Sequence, residues 1–166
     1  QWGIINVLLD GLGIIDGYQA WLTNPATALP AVIVADVWKT TPFMALLILA
    51  GLQMIPKDLY ESAAVDGATG LRRFFSITLP MLRSTILVAV LFRTLDSFRV
   101  FDLIYVTTMG GPGKATEVTS MYAYKVLFKN LDFGYGSALA MSIMLVVAAV
   151  SAIYISVLSE REAERG

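Results

Sequence analysis

Long apolar runs separated by polar stretches rich in glycine and proline set the pattern of this chain. One run, 135–158, lies inside a stretch, 133–159, that carries no charged residue. About 20 mostly apolar residues cross a bilayer as a helix, so this run predicts a span. A second run at 31–55, with the charge-free core "TTPFMALLILAGLQMIP", predicts another, bent at Pro42 and ended by Pro56. A third predicted span, 84–105, is apolar but interrupted by Arg93, Asp96, Arg99 and Asp102.

The connecting stretches have different characters. Residues 1–30 mix apolar side chains with glycines, Asn24-Pro25 and Pro30, which predicts an external or interfacial segment of loops and short helices. Trp2, Tyr18 and Trp21 suit a membrane–water boundary, where amphipathic aromatics gather. Residues 56–83 form a polar, basic loop, and 106–134 a loop turning on Gly110, Gly111, Pro112 and Gly113, with a short amphipathic helix over 121–131. A charged tail, 159–166, ends the chain. Small residues four apart in the last span, Gly136–Ala140, Ala138–Ser142 and Ala148–Ala152, allow close helix approach.

Composition agrees with a membrane protein: 57% of the 166 residues are hydrophobic and 15% charged, against ~45–50% and about 25% in soluble domains. The net charge of −1 gives no nucleic-acid surface. Cysteine and histidine are both absent, which removes thiolate and imidazole metal ligands and the commonest nucleophile–base pairs. No metal site is expected. The chain begins at Gln1 without a leader and reads as the C-terminal portion of a longer protein. Lys57, Arg72, Arg73, Arg83, Arg161 and Arg165 lie on one side, against Lys114, Lys125 and Lys129 on the other. The positive-inside rule therefore predicts that the 56–83 loop and the tail are cytoplasmic.

Charges inside a span cost ~2.5–3.5 kcal/mol each on insertion scales, so they need a cavity, a partner or the surface. Asp36, Lys39, Thr40 and Phe43 share one helix face, as do Arg93, Asp96, Ser97 and Val100. Polar groups with an aromatic edge suit a hydroxyl-rich solute. The competing expectation is that Asp36–Lys39, Arg93–Asp96 and Arg99–Asp102 are ion pairs one turn apart on their own helices.

The loop carries the most specific signal. Leu59, Tyr60, Ala63 and Ala64 make one smooth helical face, and Gly67 and Gly70 break it. A second short helix follows in "LRRFFSI", and Leu79-Pro80 closes the loop. Glu61, Ala63, Gly67, Ile77, Leu79 and Pro80 fit E-A-A-x3-G-x9-I-x-L-P, with Ser62 in place of the first alanine. This resembles the "EAA" loop of the permease subunits of ABC importers. "VWKTTPFMALLILAGLQMIPKDLYESAAVDGA", "FRVFDLIYVTTMGGPGKATEVTSMYAY" and "FGYGSALA" are similar to the MalF-type permeases of the carbohydrate-uptake family.

The resemblance implies an all-α membrane bundle of the type I ABC importer permease kind, here about three spans with a cytoplasmic coupling helix. It implies no catalysis in this chain, with ATP and Mg bound by a partner dimer of cytoplasmic ATPase subunits. Glu61, Ser62, Ala63, Ala64, Asp66, Gly67, Ile77, Leu79 and Pro80 are expected to form the coupling element. Asp36, Lys39, Thr40, Phe43, Arg93, Asp96 and Ser97 are expected to line the substrate pathway. Gly110, Gly111 and Pro112 are expected to face an extracytoplasmic substrate-binding protein. A second, homologous permease subunit, a sugar substrate and the lipid bilayer complete the expected partners, in a bacterial or archaeal cell membrane. The rival reading is an ion-coupled secondary transporter, which predicts no ATPase partner. A remote one is an intramembrane aspartyl protease using Asp36 and Asp96, whose neighbourhood lacks the expected motifs and sets a basic residue three positions from each.

Overall fold

The computed structural model of the chain describes residues 3–163, with side chains to Ser156. Trp2 and the side chains of the charged tail lie outside the described residues. A short helix α1 (Ile4–Gly11) leads into a turn-rich segment. Its Asn6 side chain is buried, donates to the Gln19 carbonyl at 3.0 Å and accepts from Trp21 Nε1 at 2.7 Å.

Helix α2 (Pro25–Gln53) starts six residues earlier than hydropathy predicts. The reason lies in the start signal: the Asn24 side chain caps the Ala26 N–H at 3.0 Å, and Pro25 occupies the first turn, where a missing N–H costs nothing. Pro30 and Pro42 both lie inside the helix, as membrane helices tolerate when neighbouring groups satisfy the freed carbonyls. At Pro42 one such carbonyl, that of Trp38, loses its usual donor.

Helix α3 (Lys57–Val65) follows Pro56. Gly67 then takes a φ of +73°, a left-handed conformation that favours glycine, and turns the chain back. The expected second short helix of the loop is not a separate element. Helix α4 runs unbroken from Gly70 to Phe98, so the span begins well before residue 84. The sequence Leu79-Pro80 does not stop it because residues Phe74–Thr78 form a π-helical turn directly upstream. There the Leu79 N–H donates to the Phe74 carbonyl, five residues back. Widening the helix by one residue moves the ring of Pro80 away from the carbonyl it would otherwise strike.

The span also ends early. Arg99 to Phe101 leave the helix, and a short helix α5 (Asp102–Thr107) turns off where continuous helix to residue 105 was expected. Helix α6 (Thr119–Tyr124) continues through a π turn at Lys125–Lys129. Helix α7 (Phe133–Ala163) is the last span, with a mean hydropathy of 2.4 within Phe133–Ser156 and no fully buried residue in its most apolar window.

Two contacts set the bundle. At Gly51 an added Cβ would lie 2.6 Å from Thr85 Oγ1, so α2 and α4 cross with backbones close. At Gly136 an added Cβ would meet Leu127 at 2.4 Å, which seats α7 against the end of α6. Val32, Ile104 and Met121 make a small core near one end of the bundle, with Phe101, Tyr105 and Tyr124 packed on it. Rings of Phe101, Tyr105 and Tyr124 lie 5.0 to 5.4 Å apart.

Candidate functional site

The charges within the spans pair across helices. Arg93 of α4 bonds to Asp36 of α2, whose side chain is 12% exposed, and also reaches Asp96 at 3.5 Å on its own helix. Lys39 bonds to Asp102 of α5 at 2.6 Å. Among the described residues the expected pairs Asp36–Lys39 and Arg99–Asp102 do not form; Arg93–Asp96 does. The correction has a simple cause. A same-helix pair is found by counting residues, whereas the α2–α4 register that brings Arg93 to Asp36 depends on the close approach at Gly51. Beyond the end of α4, the Lys39 ammonium bonded to Asp102 holds that carboxyl below the usual carboxylate range, helped by the Leu103 N–H.

Two open grooves border Arg93. One, of about 400 Å³, is lined by Val37, Thr40, Thr41, Met44, Ile48 and Arg93. The other, of about 340 Å³, is lined by Met44, Val90, Arg93, Thr94, Ser97 and Phe98. Arg93 and Met44 border both. Thr40 donates to the Asp36 carbonyl at 2.9 Å and Ser97 to the Arg93 carbonyl at 2.8 Å, so each hydroxyl is left as an acceptor. Phe43 is exposed and stands edge-on to Phe92 at 6.2 Å. The structure thus brings Asp36, Thr40, Arg93, Asp96 and Ser97 around one cluster, while Lys39 turns to Asp102 and Phe43 to Phe92. Met44 lies between the two grooves and was missed, because an isolated methionine in an apolar run carries no sequence signal.

The loop residues stand at the other end of the spans. Glu61, Ser62, Ala64 and Asp66 are exposed and Ala63 is half-buried. Val65 is 89% exposed and Leu71 75%, apolar side chains bared on a polar knob. Ile77 lies in the π turn, and Leu79 and Pro80 follow it in α4. Tyr60 bonds through its hydroxyl to Thr78 Oγ1 at 2.8 Å, joining α3 to the base of α4.

At the opposite end, the Gly110–Pro112 turn is tied down from inside. The Thr116 hydroxyl donates to the Gly111 carbonyl at 2.8 Å and lies 2.7 Å from Thr108 Oγ1. Glu117 and Lys125 form an ion pair beneath the turn. Gly110 is buried and Gly111 and Pro112 half-buried, so the turn presents Gly113 and Lys114 outward.

Three apolar spans, an exposed helical knob at one end and largely apolar grooves bordered by Arg93 between crossing helices are the features of a helical membrane protein. The chain belongs to the family described as the binding-protein-dependent transport system inner membrane component, which matches residues 2–165. It is 48% identical to the trehalose/maltose transport system permease protein MalF of Thermococcus litoralis, over 95% of this chain and 52% of that protein. It is 44% identical to the sulfoquinovosyl glycerol transport system permease protein SmoG of Agrobacterium fabrum, over 98% of this chain and 52% of that one. Among solved structures, a bacterial ABC transporter involved in the import of the acidic polysaccharide alginate superposes with a TM-score of 0.83 at 27% identity, covering 95% of this chain and 55% of that chain. The chain spans about half the length of the curated relatives it matches.

Proposed function

We propose that the chain is part of a permease subunit in an ATP-driven importer of a sugar or sugar-like solute. It forms half of the pathway, which a second homologous permease completes. The observation that carries this reading is the bared α3 knob. Small and apolar residues, Ala64, Val65 and Leu71, face away from the spans beside Glu61, a surface suited to the cleft of a cytoplasmic ATPase subunit. ATP and Mg bind to that partner dimer, and this chain does no chemistry.

In this reading, Glu61 pairs at the rim of the cleft, Ser62, Ala63 and Ala64 pack inside it, and Gly67 turns the chain back to the span. The knob and C-terminus face the cytoplasm. The Gly110–Pro112 turn faces the extracytoplasmic binding protein on which the family's transport depends. The Asp36–Arg93–Asp96 cluster, with Thr40 and Ser97, offers hydrogen-bonding groups to a hydroxylated solute. Relatives named for trehalose/maltose and for sulfoquinovosyl glycerol support a carbohydrate-like cargo.

The test places one cysteine at Ala64 in the full-length protein and another in the cleft of the candidate ATPase; residues 1–166 contain none of their own. A cross-link in membranes that changes with ATP is the expected result. No cross-link from any position between Glu61 and Gly70, with both proteins present, would overturn the reading and leave an ion-coupled transporter as the better account.

A further inference from the structure

Helix α3 is lightly attached. It packs extensively on no span, its first-turn acidic residue Asp58 and the rim residue Glu61 are exposed, and the chain on its far side turns on Gly67. A force applied to α3 through so open a hinge would be absorbed by rotation at the glycine. One side-chain hydrogen bond crosses the gap. Tyr60, half-buried, places its hydroxyl 2.8 Å from Thr78 Oγ1, and Thr78 is only 8% exposed. Thr78 is the last residue of the π turn and adjoins Leu79-Pro80. The bond therefore attaches α3 at the one place in α4 where the regular helical ladder is interrupted.

We propose that Tyr60 and Thr78 are positioning residues whose hydrogen bond forms a strut from α3 to α4. The strut makes movement of the knob and of the span a single rigid-body motion. This rests on the reading of α3 as the ATPase-coupling helix. Three features fit it. A tyrosine is long and stiff, with few rotatable bonds to dissipate a displacement. The ring is half-buried against its own chain, while Glu61 and Ser62 beside it stay open. Thr78 is held by burial and by the π turn, so the far end of the strut is fixed. Without the hydroxyl contact, the Gly67 hinge would let α3 follow the ATPase while α4 stayed in place.

The experiment uses the full-length protein with its ATPase and second permease in proteoliposomes, any cysteine outside 1–166 being replaced. Two readouts are taken with and without Mg-ATP. The Ala64 cross-link to the ATPase reports docking. The reactivity of Met44→Cys, between the two grooves, toward a membrane-impermeant maleimide reports movement of the spans. Tyr60→Phe and Thr78→Val are expected to keep the cross-link and to shrink the ATP-dependent change at position 44 by about two- to tenfold, the population shift that one hydrogen bond can hold. Thr78→Ser, which keeps the hydroxyl, is expected to retain the parental response. A retained cross-link with an undiminished change in Tyr60→Phe would overturn the strut while leaving the coupling role intact. A parent protein that docks no ATPase at Ala64 would overturn both. Lowered expression of a variant does not decide the matter, because the ratio of the two readouts is taken per docked complex.

Discussion

At Asp36 a carboxylate is nearly enclosed by its own protein, and its partner Arg93 is 29% exposed on its side chain. Neither charge would be stable alone at such a place, since a charge within a span costs ~2.5–3.5 kcal/mol on insertion scales. Removing one member leaves the other uncompensated, at about 3–5 kcal/mol for a buried pair, whereas removing both can be nearly neutral. Asp36→Ala is therefore expected to lower the thermal unfolding temperature of the purified full-length protein sharply, and Arg93→Met in the same chain to recover most of the loss. Asp96, 3.5 Å from Arg93 but 59% exposed, partly compensates the guanidinium, so Arg93→Met alone is expected to be the worse single change. Lys39–Asp102, with both side chains more than half exposed, is expected to contribute about 0–1 kcal/mol. Equal losses for Asp36→Ala and Asp102→Ala would contradict this ranking. Arg93–Asp96 was legible in the sequence as a same-helix pair, but Asp36–Arg93 and Lys39–Asp102 were not, because the inter-helix register is invisible there.

At the scale of elements, the crossing of α2 and α4 rests on a glycine that carries no motif. A methyl group at Gly51 would sit 2.6 to 2.9 Å from three atoms of Thr85, a β-branched side chain with little room to give. Gly51→Ala is expected to destabilise the full-length protein by about 1–3 kcal/mol through overpacking, with partial recovery when Thr85→Ala removes two of the three clashing atoms. Unchanged unfolding in Gly51→Ala would mean that the helices separate easily here. The hydrophobic runs made the three spans and the Gly67 turn readable, because hydropathy and the demand for a left-handed φ are local properties. The element ends were less so. Asn24-Pro25 is a start signal that a hydropathy window overlooks, and Pro80 is an apparent stop that the π turn at Phe74–Thr78 cancels. The broken end of α4 at Arg99 depends on α5 folding over the Val32–Met121 core, which no window of sequence contains.

Over the whole molecule, polarity and function run along the bundle axis. One end carries α3 with Val65 bared and the start of α4 with Leu71 bared; the other carries the Gly110–Pro112 turn, the aromatic cluster and the Lys39–Asp102 pair. The proposed roles, ATPase coupling at one end and solute delivery at the other, require the two ends to lie on opposite faces of the membrane. The lysine and arginine asymmetry is the ground for expecting the α3 end inside. Single cysteines test that order without reference to any solute. In sealed vesicles with the outer face exposed, Val106→Cys, at a position 79% exposed, is expected to react with a membrane-impermeant maleimide. Val65→Cys, at a position 89% exposed, is expected to stay unlabelled until the vesicles are opened. Because neither site is covered by the rest of this chain, unequal labelling does not come from packing within it. Labelling of Val65→Cys from outside would invert the molecule, place the bared knob where no ATP is available, and remove the physical basis for a coupling role.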